Sequence, residues 1–255
     1  MSPDSPQSDE RYPTGTEPEN RRSPDDKRSL RQARPLAVVL ALAGTFLIGL
    51  AIGLMVYSLA TDVVTEVQQR SLSADAPGLL GSPGGAPALA GTPVMDFSGL
   101  TSSDVPWWRS RKSGQAMARI VIPRIGLNRM LVRGTERADL AKGPGWIVTS
   151  DPPGSSGNCA ISGHRTTFGA PFFRINELKR GDTIRLITPF RAFTYKVEKV
   201  FLVTPDRVDV VSHTDEPVLT LTACHPRYSA RQRIIVRASL YDVRRPVPKD
   251  GETRE

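Results

Sequence analysis

The sequence predicts an all-β domain, an eight-stranded barrel with short helices, preceded by one membrane-spanning helix. Three observations predict it. Short β-rich runs recur eight times between residues 117 and 243, with Pro, Gly, Asn and Asp punctuating the intervals. Helical signal in that region is confined to short pieces at 137–141 and 175–179. Ahead of it, residues 36–60 form a nearly unbroken apolar run of 25 residues. Eight strands at that spacing favour a closed or nearly closed barrel over an α/β sheet.

Taken in order, residues 1–34 are rich in Pro, Ser and mixed charges with almost no apolar side chains to bury, and are expected to be a disordered cytoplasmic tail. Residues 35–61 contain no Asp, Glu, Lys or Arg. At about 1.5 Å per residue the apolar run crosses a hydrocarbon core of about 30 Å with some tilt, so it is expected to anchor the chain. Six Lys and Arg residues, from Arg21 to Arg34, precede the span, and only Arg70 lies between it and Arg109. The positive-inside rule then places the N-terminus in the cytoplasm and the rest outside, a single-pass protein of the cell membrane. The competing reading is a signal peptide cleaved near Ser58-Leu59-Ala60, but the run is much longer than an h-region of about 7 to 15 residues.

Residues 62–70 continue the helix briefly, and 62–106 as a whole is expected to be a flexible extracellular linker, Ala-, Gly-, Pro- and Ser-rich from residue 71 on. Trp107 and Trp108 close it, either at the membrane interface or as a cap on the domain. The domain is expected over 107–245, with strands at 118–122, 130–133, 146–148, 158–162, 183–188, 192–203, 218–223 and 233–241, and a disordered tail at 246–255. Net charge is +8 for the chain but +13 for residues 107–245. Such a basic domain suits an anionic partner such as lipid or an envelope polymer. It carries no aromatic-interleaved basic motif of the kind that binds nucleic acid.

Two cysteines, Cys159 and Cys224, are too few for a disulfide scaffold and lack zinc-ribbon spacing. Cys224 ends an alternating apolar strand where it meets a turn-prone Pro-Arg-Tyr-Ser-Ala segment, so substrate can reach it. A thiol attacks as thiolate and needs a histidine or a cation beside it. His164 ends the strand 158–162 in the same way and is the expected partner. His225 adjoins Cys224 and points the other way on an extended chain, and His213 sits in a loop beside Asp215 and Glu216. Cys159 and His164 are five residues apart, so they face opposite sides of their strand and Cys159 is expected in the core. A Cys159–Cys224 disulfide in a non-enzymatic binding module is the alternative, and a zinc site from His164, Cys224, His225 and His213 a remoter one. An oxyanion needs a fixed positive donor. Arg233, at the head of the next strand, is the candidate, with Arg227 and Arg231 in the intervening loop.

The run Ile161-Ser162-Gly163-His164-Arg165-Thr166-Thr167-Phe168-Gly169-Ala170-Pro171-Phe172, then Thr220-Leu221-Thr222-Ala223-Cys224, then Arg233-Ile234-Ile235-Val236, resembles the sortases. Within them it is most similar to class E of high-GC Gram-positive bacteria. The resemblance implies an eight-stranded sortase barrel with catalytic His164, Cys224 and Arg233, and with Thr222 and Ala223 at the substrate. It implies no cofactor, and no acidic cluster argues for a metal. The implied reaction cleaves a Leu-Ala-x-Thr-Gly or Leu-Pro-x-Thr-Gly sorting signal between Thr and Gly and joins the secreted protein to a peptidoglycan amine. A pilin-polymerising sortase is the alternative, though no aromatic follows an Asp-Pro as a lid ahead of the barrel. The family favours Thr-Leu-x-Thr-Cys, and Ala223 departs from it by lacking the hydroxyl.

Overall fold

The computed structural model describes residues 24–76, 89–90, 101–154 and 156–246. The expectations for residues 1–23, for most of 77–100 and for the tail after 246 lie outside the described residues. The chain divides into two compact units, residues 1–53 and 54–255. Helix α1 (Pro24–Asp75) is long and apolar enough to cross a membrane. Its side chains Val38, Leu42, Phe46 and Leu50 are all exposed. In water an uncovered apolar stretch of that length is unfavourable by about 25 cal/mol per Å², which is the physical reason for reading it as a span.

The helix extends beyond the expected membrane span 35–61 at both ends. It starts at Pro24 rather than 35, a position where a missing N–H is tolerated. It runs on to Asp75, so the linker expected from residue 62 cannot begin before residue 76. From Thr61 onward one face is buried: Thr61, Thr65, Gln69, Leu72 and Ala76, spaced three or four residues apart. Leu72 and Ala76 pack with Ala116, Met130 and Val132 of the barrel.

A two-residue strand β1 (Leu89–Ala90) and helix α2 (Thr101–Ser110) precede the barrel. Trp108 is fully buried and packs edge-on against Trp146, centroids 5.2 Å apart. Trp107 donates its indole N–H to the Met117 carbonyl at 2.9 Å and carries Arg111 on its ring face. The tryptophans therefore cap the barrel.

The barrel strands are β2 (Ala116–Ile122), β3 (Leu127–Arg133), β4 (Gly145–Trp146), β5 (Gly157–Ser162), β6 (Thr183–Ile187), β7 (Ala192–Val203), β8 (Pro217–His225) and β9 (Gln232–Pro246). Their order is β9-β7-β6-β2-β3-β4-β5-β8, and β8 pairs back onto β9 to close an eight-stranded ring, with β1 added at the β9 edge. Closure leaves none of the eight barrel strands at a free sheet edge among the described residues. The pairs β3–β4 and β5–β8 are parallel and the others antiparallel. The interior holds Ile120, Leu131, Ile161, Leu186, Phe193, Tyr195, Leu221 and Val236. All eight predicted strands are present, and α3 (Arg137–Leu140) and a 3₁₀ turn (Ile175–Glu177) supply the two short helical pieces.

Candidate active site

Three adjacent strands bring the predicted residues to one end of the barrel. β5 and β8 run parallel with Ser162 opposite Thr222, and the Gly163 N–H donates to the Thr222 carbonyl at 3.2 Å. His164 and Cys224 each follow two residues beyond that pair, so they leave neighbouring strands at the same level. β9 returns antiparallel, with Arg233 directly opposite Cys224. Directly opposed residues in an antiparallel pair share a face, with Cβ atoms about 4.5–5.5 Å apart. Cys224 is a half-buried free thiol. The Arg233 guanidinium donates to the carbonyls of Ala230 and Gln232, both at 3.2 Å, which ties it to the β8–β9 turn.

The same alternation sorts the rest of β8. Leu219, Leu221 and Ala223 belong to the barrel core, with Ala223 only 3% exposed and opposite Ile234, another core residue. Thr222 and Cys224 face the other way, and Thr222 is half-buried beside Ile235, which packs outside the barrel with Val203 and Val210. The Ala223 side chain therefore lies on the core face of β8, opposite to that of Cys224. A side chain one residue from Cys224 on an extended strand points to the opposite face.

His164 is half-buried, and its Nε2 is fully buried without a hydrogen-bond partner. Burial, and second the charge of Arg137, hold its pKa below the ordinary histidine value. Its ring lies 5.2 Å from that of Phe168 at a 35° tilt. Gly163, just before it, has no room for a side chain, since a Cβ there would come within 2.6 Å of the Phe172 ring.

Arg165 is the residue that reading by strand ends overlooked. Only 5% exposed, it donates to the Cys224 carbonyl at 3.2 Å and to Asn176 Oδ1 at 2.8 Å, and its Nη1 lies 2.9 Å from His225 Nδ1. A guanidinium only donates, so His225 Nδ1 accepts and the ring proton sits on Nε2. Arg165 thus clamps the end of β8 to the His164 loop. Burial lowers its pKa, the neighbouring Arg227 lowers it further, and Cys224 acts in the opposite sense. The available signal was its place next to His164, but adjacency alone cannot tell a buried arginine from a solvated one. Arg227, one of the loop arginines, lies over the Phe173 ring at 3.9 Å and donates to the Phe173 carbonyl.

The remaining residues fall where strand parity puts them. Cys159 is 1% exposed in the core, and burial, with the Asp151 charge second, pushes its thiol pKa far up. It sits opposite Leu219, five residues short of Cys224, an offset of about 16 Å at about 3.3 Å per residue. A disulfide needs Cα atoms within about 7 Å, so the Cys159–Cys224 alternative is excluded and both thiols are free. His213 is exposed and its Nδ1 lies 3.0 Å from Asp151 Oδ2. Among the described residues no three His, Cys, Asp or Glu side chains gather as metal ligands.

Residues 120–241 match the family model described as "Sortase domain". Sortase D of Bacillus subtilis (strain 168) is 35% identical over 116 residues, 45% of this chain and 57% of the relative. The chain spans about half the length of the curated relatives it matches. Among solved structures, a Sortase D5 transpeptidase from Clostridium perfringens is 28% identical with TM-score 0.50, the match covering 57% of this chain and 91% of that one. A variant of sortase E from Streptomyces avermitilis is 29% identical with TM-score 0.50, covering 55% of this chain and 98% of that one.

Proposed function

The chain belongs to the sortase family, and on that premise we propose that it is a membrane-anchored cysteine transpeptidase acting at the outer face of the cell membrane. The observation that carries this reading is the register. Cys224 lies opposite Arg233, and His164 leaves the adjacent parallel strand at the same level.

Cys224 attacks the Thr-Gly carbonyl of a C-terminal sorting signal as its thiolate, forming a tetrahedral oxyanion beside Arg233. Collapse breaks the C–N bond, and protonated His164 gives its proton to the departing glycine amine. An amine of a peptidoglycan precursor or cross-bridge then attacks the thioester. Neutral His164 takes the proton from that amine, an amide forms and the thiolate is released. Likeness to the Streptomyces avermitilis sortase E favours class E, and the class E resemblance of the sequence implies a Leu-Ala-x-Thr-Gly signal. α1 serves as the anchor, with its N-terminal end in the cytoplasm, and the +13 charge of residues 107–245 suits an anionic envelope.

The test is cleavage of a Leu-Ala-x-Thr-Gly peptide by the purified protein, followed by thioester transfer to an added amine. Cys224→Ala should abolish both, whereas Cys159→Ala should keep them. Activity surviving Cys224→Ala, or lost specifically with a folded Cys159→Ala variant, overturns the reading.

A further inference from the structure

Two stretches far apart in sequence meet at Gly169. In the loop after His164, three consecutive residues have positive φ: Phe168 at 52°, Gly169 at 69° and Ala170 at 37°. Only glycine occupies that region freely. Phe and Ala are held there against steric cost, and such a run persists only where the surroundings over-determine it. Part of the support is internal, from Ala170 N–H to the Thr167 carbonyl at 2.9 Å and Phe172 N–H to the His164 carbonyl at 3.0 Å. Another tie comes from outside: Gly169 N–H donates to Asp62 Oδ1 of α1 at 2.9 Å. Thr65 lies against the same glycine, 3.3 Å from where a Cβ would stand.

The helix face making this contact is itself pinned to the barrel. Gln69 donates through Nε2 to the carbonyls of Met130 and Lys142 at 3.1 and 2.6 Å, and its Oε1 accepts from Met130 N–H at 2.7 Å. Thr65 donates to the Ala141 carbonyl at 2.9 Å, and Glu66 pairs with Arg129 at 2.7 Å. A side-chain amide that is 5% exposed and fully engaged fixes both the rotation and the height of the helix. The neighbour of Gly169 is Phe168, whose ring packs on the imidazole of His164.

We propose that residues 61–75 of α1 are an intramolecular brace in which Asp62 and Thr65 are positioning residues that hold the 167–170 loop, and through Phe168 the His164 ring, in reactive orientation. This rests on the reading of His164 as the acid–base group. The brace touches neither the thiol nor the scissile bond. Its loss lowers the fraction of molecules with His164 in place, and so lowers kcat more than it raises KM for the peptide.

The experiment uses the full chain in detergent micelles with Asp62→Ala, Asp62→Asn and Gln69→Ala. Peptide kinetics, amide exchange at Gly169, the His164 ring resonance and the melting temperature are read on each. Asp62→Ala and Gln69→Ala should lower kcat about two- to tenfold, the value of one hydrogen bond, with KM held within about twofold. Gly169 exchange should accelerate and the His164 resonance shift. Asp62→Asn keeps an acceptor oxygen and should restore most of kcat. Asp62 is exposed, so its variants fold even if Gln69→Ala does not. Full kcat with an accelerated Gly169 amide, or a lowered melting temperature with an unmoved His164 resonance, overturns the brace. A wild-type chain that fails to cleave peptide counts against the proposed function alone, because the exchange and resonance readouts need no turnover.

Discussion

At His164 burial acts before charge. The half-buried ring is held below its ordinary pKa first by desolvation and then by Arg137, so near neutral pH it is mostly unprotonated. In the proposed reaction it would give its proton to the leaving amine from its protonated minority. Arg137→Gln should raise the pKa towards 6.5 and move the acidic limb of the pH–rate profile upward, which a titration of the His164 ring signal would show directly. An unmoved limb would mean that desolvation alone sets it. The same depression affects stability. Just below pH 6.5 the unfolded chain binds more protons at this residue than the folded one, so its contribution is present above that value and lost as pH falls through the folded pKa. Ala223 gives a second test at this scale. Since it faces Ile234 inside the barrel, Ala223→Thr buries a hydroxyl there, and should cost about 1–3 kcal/mol by denaturant unfolding with little change in KM. A change in peptide KM without loss of stability would place the side chain at the substrate after all.

At the scale of elements, the site is a property of two pairings. The parallel β5–β8 pair sets His164 level with Cys224, and the antiparallel β8–β9 pair sets Arg233 opposite the thiol. Arg165 ties the end of β8 to Asn176. Helix α2 matters for a different reason, because Trp108 fills core volume beside Trp146 at one end of β4. Trp108→Ala should destabilise the barrel by about 3–5 kcal/mol in a denaturant melt, and a loss under 1 kcal/mol would show that the core closes without α2. The strands were legible because alternation of apolar side chains is the signature of a half-buried strand, and 192–203 matched β7 to the residue. The docking of α1 onto the barrel past residue 61 was not legible in that way. Its docked stripe begins Thr61, Thr65, Gln69, and a polar stripe leaves no hydrophobic period to find.

On the scale of the molecule, a long apolar helix and a closed basic barrel lie on one chain. The sequence by itself determined the apolar span, the eight strands and the two short helical pieces, and it put Cys224, His164 and Arg233 at or near strand ends. Each of these rests on local periodicity or on a residue type at a strand end, which neighbours in sequence suffice to specify. Only the tertiary structure decided that Cys159 lies about 16 Å along the sheet from Cys224, that Ala223 belongs to the core, that Arg165 is buried against the Cys224 carbonyl, and that α1 reaches the His164 loop. Those depend on strand register and on polar contacts between residues 59 to 107 positions apart. The energy of such contacts comes from the geometry of partners brought together by closure of the barrel, and no stretch of sequence contains both partners.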